Sequence, residues 1–268
     1  ANTTGDRNVA IGWSAMSVNT VGDRATALGY AALQNQNPSS NADTYNVAIG
    51  YNAGNAITTG TDNTLIGGLA GDAITTGANN TAVGQQAATA VTTASNNIAI
   101  GADSLKATTT GTANVAVGFA ALEANTTADN NTAVGFTALL SNTTGTQNVA
   151  VGSEAMDANT TGNTNSALGI GALGSNTTAS NNTAVGAFAL LVNTTGSENT
   201  AVGRLSLDAN TTGADNTAIG NGALGANTTA SNNTALGSGS LLANTTGDQN
   251  VAVGGASTDA NTTGIRLT

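Results

Sequence analysis

The sequence predicts an all-β chain wound as a parallel β-solenoid of about 15 coils, each coil one copy of a 17-residue repeat. Three observations carry that expectation. Aligned on a glycine that follows an aliphatic residue, the chain repeats at a fixed step of 17, as in Asn142 to Ala158 (NTTGTQNVAVGSEAMDA) and Asn159 to Ser175 (NTTGNTNSALGIGALGS). Coil positions are numbered from the first Asn of NTTG, and position eleven is glycine in all 15 full coils, from Gly12 to Gly254. The charges keep phase with the repeat: 19 of the 20 charged residues fall at positions five, six, twelve, thirteen or sixteen, with Asp43 the exception. A disordered chain has no reason to keep such phase, although low charge and few bulky residues would otherwise suggest disorder. One 17-residue turn cannot bury a core alone, so neighbouring coils must stack.

Each part of the coil has its own reading. NTTG is a turn at a corner, its glycine supplying a backbone angle that other residues resist. Position seven is asparagine in 14 coils, the exception being Ala25. Stacked at the coil spacing, these side chains form an amide ladder, here Asn131, Asn148, Asn165, Asn182, Asn199, Asn216, Asn233 and Asn250. Positions seven to ten, such as Asn-Thr-Ala-Val, are rich in β-branched residues and end at glycine, the signature of a short strand. A second short strand is expected over positions fourteen to seventeen. The density of Asn, Thr and Gly argues against helix. Coils at ~4.8 Å spacing would build a rod of roughly 70 Å.

The whole chain, 1–268, reads as a single solenoid domain with one irregularity near 34–40. About four extra residues stand there around Gln36, Asn37 and Pro38, the one proline of the chain, which suits a loop bulging from a corner. In the last nine coils every third one replaces the NTTG glycine by alanine, at Ala128, Ala179 and Ala230, and Asp157, Asp208 and Asp259 recur 51 residues apart. This slower period marks duplication of a three-coil block. Residues 261–268 abandon the position-seven asparagine at Leu267 and are expected to cap the array or join a further domain. The opening on Ala1 rather than Met points to a chain processed or cut from a longer one.

Composition excludes several functions. The formal charge of −10 opposes nucleic-acid binding, which uses a basic face. No apolar run approaches the ~20 residues needed to cross a bilayer, so no membrane insertion is expected. With no histidine and no cysteine, the usual general base, thiol nucleophile and zinc ligands are missing, and no enzyme activity, cofactor or metal is expected. The carboxylates are spread at corners, so a pair such as Glu154 and Asp157 reads as a solvated edge. Paired acids on a solenoid face are the one arrangement here that a glycosidase would use.

Positions nine and ten point to opposite faces of the strand, yet both are apolar in nearly every coil. The small alanine at position nine, as at Ala10, Ala27 and Ala48, suggests a second face packed against another copy of the chain, hence a homo-oligomer; the alternative is that alanine merely keeps an exposed strand flat.

The core motif NTAVG, at Asn131 to Gly135, Asn182 to Gly186 and Asn199 to Gly203, resembles the repeats of trimeric autotransporter (YadA-like) adhesin heads. Still more closely it resembles the NTAVGxxAL repeats of bacteriophage tail fibres. The resemblance covers nearly the whole chain and implies a left-handed parallel β-roll, a homotrimer, and a place on a virion or cell surface as a structural or adhesive shaft that displays or forms a receptor-binding element. The step departs from the shorter coil common in such adhesin heads.

Two candidate surfaces follow. Aromatics recur at position twelve, Trp13, Tyr30 and Tyr51, then Phe119 and Phe136; stacked at one corner they could form a ledge for a host-surface glycan or protein receptor, or cover an interface between chains. Threonines recur at positions two and three, for instance Thr143 and Thr144. A rank of threonines on a flat face would suit ice binding, an alternative to the shaft reading, and only one of the two ranks can face outward. Open coil ends give a third alternative, a self-assembling extracellular filament. The NTT triplets match the N-glycosylation pattern but read as turn chemistry.

Overall fold

Short β-branched runs that end at an invariant glycine leave room for only one short strand per coil, and the computed structural model, which describes residues 2–268, has that form. It is a parallel β-solenoid of about fourteen turns with no helix among the described residues. The chain divides into two compact units, Ala1–Asn131 and Thr132–Thr268, each a stack of the same coil.

In the first unit the strands are β1 (Val9–Ile11), β2 (Gly22–Asp23), β3 (Thr26–Leu28), β4 (Ala42–Asp43), β5 (Val47–Ile49), β6 (Thr64–Ile66), β7 (Thr81–Val83), β8 (Ile98–Ile100) and β9 (Val115–Val117). The second unit contains β10 (Thr132–Val134), β11 (Val149–Val151), β12 (Ser166–Leu168), β13 (Thr183–Val185), β14 (Thr200–Val202), β15 (Thr217–Ile219), β16 (Thr234–Leu236) and β17 (Val251–Val253). Apart from β2 and β4, which pair with each other, each strand pairs in parallel with the strands of the adjoining coils in its unit. Pairing is in strict register, alanine beside alanine, as in Ala167↔Ala184. The insertion leaves that register intact: Ala27 still meets Ala48. The coils on either side of the insertion carry the short β2–β4 pair, pinned by an Arg24 Nε–Asp43 Oδ1 ion pair at 2.8 Å and by the Arg24 guanidinium over the Tyr45 ring at 5.5 Å.

Position eleven must be glycine for two reasons. Gly169 has φ +138, and a Cβ there would stand 2.6 Å from both the carbonyl carbon and oxygen of Gly186 in the next coil. The NTTG glycine behaves differently from expectation: Gly162 and Gly213 lie outside the left-handed region, so φ does not demand glycine there, and Ala179 and Ala230 hold the same position in other coils. A Cβ on Gly162 or Gly213 would press on the carbonyl oxygen of Ala179 or Ala230 in the next coil, so alanine there requires a local shift between coils.

The expected second strand over positions fourteen to seventeen does not form. The backbone there takes left-handed angles at positions thirteen and fifteen with ordinary residues, for example Phe188 at φ 59 and Leu190 at φ 53. Such angles cost about 1–2 kcal/mol each. They are held because N–H groups alternate between turn bonds within the coil, as Asn193 N to Leu190 O at 3.4 Å, and bonds to neighbouring coils, as Leu190 N to Ser206 O at 2.9 Å. The segment is thus hydrogen-bonded along the stack without strand geometry.

The core is narrow. Position nine meets position fifteen across the coil, so leucine or methionine at fifteen (Leu139, Met156, Leu173) leaves space for only a methyl group at nine. The exception proves the pairing: Leu65 replaces alanine at position nine where Gly54 and Gly71 stand at fifteen, and a Cβ on either glycine would lie 2.7 Å from a Leu65 methyl. Three residues after each of those glycines, position one of the following coil is Ile57 or Ile74 instead of asparagine, both fully buried. Core volume is conserved by exchange between columns.

Candidate interaction surfaces

Polar groups inside the coil are almost all consumed by the stack, which leaves recognition to the outside. Along position seven the carboxamides link successive coils, although Asn182 takes part only through its Oδ1, its buried Nδ2 having no partner. Asn216 Nδ2 donates to Asn199 Oδ1 at 3.1 Å and to Ala230 O at 2.8 Å, while its Oδ1 accepts from the Asn233 N–H at 3.0 Å. The expected ladder residues from Asn131 to Asn250 are all buried. Where Ala25 interrupts the column, Gln36 reaches in from the insertion, and its Oε1 accepts from Asn46 Nδ2 at 2.9 Å. A second buried ladder runs along position one and was not foreseen: Asn159 Nδ2 donates to Asn142 Oδ1 and Asn176 Nδ2 to Asn159 Oδ1, both at 2.8 Å. Its signal is the recurrent Asn of NTTG, present in most coils but replaced by Ile57, Ile74, Val91 and Thr108, which reads as turn chemistry until the coil closes and turns it inward.

Position five also works for the stack. Asp129 Oδ1 accepts the Thr112 N–H at 2.6 Å, and Asp248 Oδ1 the Ser231 N–H at 2.7 Å. Asp23 does the same for Asp6 and is buried, so the rule of charges at solvent-facing corners fails there. Glu154 is exposed, but Asp157 is only partly so; burial, then Glu154, raises the Asp157 carboxyl above its ordinary value. Burial raises Asp208 likewise. Lys106 bridges Asp103 at 2.9 Å and Glu123 at 3.9 Å. Among the described residues no group of three or more metal-ligating acids converges, and no helix is long and apolar enough to cross a membrane.

The strand faces are reversed from expectation. The alanine column points inward: Ala27, Ala48, Ala133, Ala150 and Ala184 are fully buried, and only Ala10, in the first coil, is exposed. The narrow core explains this, because nothing larger than a methyl fits opposite leucine. The outward column is position ten, the aliphatic one. Ile66, Ile100, Leu168 and Leu236 are exposed, Leu168 by 50%. Beside it, position eight carries Thr, Val, Ile or Ser. No residue at either position in any coil is charged.

The predicted aromatic contacts are placed at the surface: Trp13, Tyr30, Tyr51, Phe119 and Phe136 are all exposed. Trp13 and Tyr30 stack at 4.9 Å between ring centroids, and Tyr30 and Tyr51 at 5.3 Å, with ring planes nearly parallel in both pairs. Stacking turns the ring faces toward each other, so both faces of Tyr30 are occupied and the rings offer their edges outward. Phe119 belongs to the first unit and Phe136 to the second. Of the two threonine ranks, position two is half-buried in most coils, its hydroxyls donating to the carbonyl of the next coil, as Thr160 Oγ1 to Thr177 O at 3.0 Å, or at Thr20 to Asn37 Oδ1 at 2.8 Å. The position-three rank, including Thr144, Thr161 and Thr178, is exposed. Residues 261–268 continue the coil: the Leu267 N–H donates to Asn250 Oδ1 at 3.0 Å, so Leu267 holds position seven in register without its amide.

No protein-family model, curated protein or solved structure matches this chain.

Proposed function

We propose that this chain is a structural and adhesive shaft segment of an extracellular fibre, of the kind found in phage tail fibres and bacterial surface adhesins, and that it works as a homotrimer. The supporting observation is the outward strand face, with two adjoining columns of uncharged residues, one of them aliphatic throughout, on a protein of charge −10. In the second unit alone the eight strands β10 to β17 span roughly 34 Å at ~4.8 Å spacing. With a width of about 10 Å that is an apolar patch of a few hundred Å², the size that on soluble proteins marks a contact surface. Packing of copies through this face removes it from water, and ladders that occupy nearly every interior polar group suit a part that bears load and presents length. The stacked Trp13, Tyr30 and Tyr51 edges are then the candidate contact with a surface receptor.

Light scattering tests the multimer. The expected mass is three chains, and Val185→Asp, which puts a charge at the centre of the face, lowers it to one. A wild-type protein that stays monomeric at high concentration refutes the reading. Glycan-array binding that is lost in Trp13→Ala would separate an adhesin from an inert shaft. The exposed position-three threonines support a second reading, ice binding; thermal hysteresis of the purified protein decides it, and its absence removes it.

A further inference from the structure

Two coils of the second unit lack side chains at positions thirteen and sixteen together. One carries Gly171 and Gly174, the other Gly222 and Gly225, 51 residues further on. In both places the preceding coil supplies an aspartate at position sixteen and the following coil a leucine. A Cβ on Gly174 would stand 3.3 Å from Leu191 Cδ1 and 3.6 Å from Asp157 Oδ1; on Gly225 the same measurements are 3.2 Å to Leu242 Cδ1 and 3.4 Å to Asp208 Oδ1. The two notches have the same walls.

They differ at position thirteen of the following coil. The Phe188 ring lies over the first notch, its Cδ1 2.9 Å from where a Gly171 Cβ would be, and Gly171 and Gly174 are buried. At the second notch Gly239 stands in place of that phenylalanine. The nearest atom to a Gly222 Cβ is then Leu242 Cδ1 at 3.8 Å, and Gly222 and Gly225 remain partly exposed. An open cleft of about 410 Å³ results, lined by Leu205, Asp208, Gly222, Gly225 and Leu242.

We propose that this cleft binds a free arylalkylamine, its ring over Gly222 and its ammonium on the Asp208 carboxylate. The ring is argued from the chain itself, since a benzene ring already fills the equivalent notch. The ammonium is argued from charge: Asp208 is the one acid lining the cleft and is half-buried, so a neutral ring would strip water from it without compensation, whereas a cation gains a charge-assisted hydrogen bond. Arg204 lies near enough to act on Asp208 electrostatically, but it is exposed and does not line the cleft. Leu205 and Leu242 give the apolar walls that small-molecule sites use. The cleft lies on the turn side of the coil, away from the strand face, and the proposal stands whatever the oligomeric state.

Titration with 2-phenylethylamine, followed by calorimetry and by the amide resonances of Gly222 and Gly225, tests it. Saturable binding at one site per chain is expected, weaker by roughly tenfold in Asp208→Asn and for 2-phenylethanol, which lacks the charge. Gly239→Phe should close the cleft and abolish binding. Its backbone accepts the change, because Gly239 has φ +67 and Phe188 has φ 59. Phe188→Gly should open the first notch and raise the stoichiometry to two. No saturable binding, or binding that persists in folded Gly239→Phe, overturns the proposal; if that variant does not fold, a stoichiometry that stays at one in Phe188→Gly overturns it instead.

Discussion

Replacing Asn216 by alanine removes one rung of the position-seven ladder, and the structure says what each partner loses. Four side-chain hydrogen bonds go: Nδ2 to Asn199 Oδ1 (3.1 Å), Nδ2 to Ala230 O (2.8 Å), and the two that Oδ1 accepts from Asn233, from N (3.0 Å) and Nδ2 (3.3 Å). Three of the partners keep another bond. Asn199 Oδ1 still accepts the backbone N–H of residue 216, Ala230 O still accepts from Asn227 Nδ2, and Asn233 Nδ2 still reaches Ser231 O. The Asn233 N–H is left bare inside the stack. Bonds whose partners are re-satisfied are worth under about 1 kcal/mol each, and an orphaned buried donor costs about 1–3 kcal/mol, so the loss is about 4 kcal/mol. Solenoid stability is local and nearest-neighbour in character, so the defect should appear first as local opening. Native-state hydrogen exchange is the assay: the amides of Asn233 and its flanking coils should exchange about a thousandfold faster, by that free energy at about 1.4 kcal/mol per tenfold, while those of β10 barely change. Loss of protection worth less than about 1 kcal/mol, or spread evenly over the unit, would refute the ladder as the source of stability.

Three other outcomes follow from the same geometry. Gly169→Ala places a Cβ 2.6 Å from backbone atoms of Gly186 at φ +138 and should cost more than about 3 kcal/mol in denaturant unfolding; a neutral result would mean the coil spacing yields. Thr160→Val loses the hydroxyl bond to Thr177 O and should destabilise by about 1 kcal/mol, whereas Thr161→Val, on the exposed rank, should change little; equal effects would contradict the assignment of the two ranks. The Asp157 carboxyl is raised by burial and then by Glu154, so the folded state holds its proton more tightly than the unfolded chain does. Its favourable contribution is full below the ordinary carboxylate pKa of about 3.9 and is lost as pH rises through the folded value. Asp157→Asn should therefore raise the unfolding midpoint at neutral pH and leave it unchanged at strongly acid pH, and a variant that destabilises at neutral pH would refute the sign.

The coil, its step and its phase were legible in the sequence because they depend on local chemistry repeated many times. Only glycine adopts the position-eleven angle against a neighbouring carbonyl, a carboxamide both donates and accepts along a stack, and charges stay off positions seven to ten. These features recur in nearly every coil, so a single departure such as Ala25 leaves the pattern readable. What tertiary structure decided was which side of each residue faces in. Alanine and valine at positions nine and ten are both apolar, and alternation alone cannot say which is core. The width of the coil decides it: leucine at position fifteen reaches so far across that only alanine fits opposite, as the exchange of Leu65 with Gly54 and Gly71 demonstrates, and the larger aliphatic side chain is driven outward. The turn half misled for a related reason. Apolar residues at positions fourteen and fifteen read as a strand, but they point into the core through left-handed angles that bonds between coils hold in place. The open cleft over Gly222 likewise depends on a ring that Phe188 provides in one block and Gly239 omits in the next, a difference that acquires meaning only once the coils are stacked.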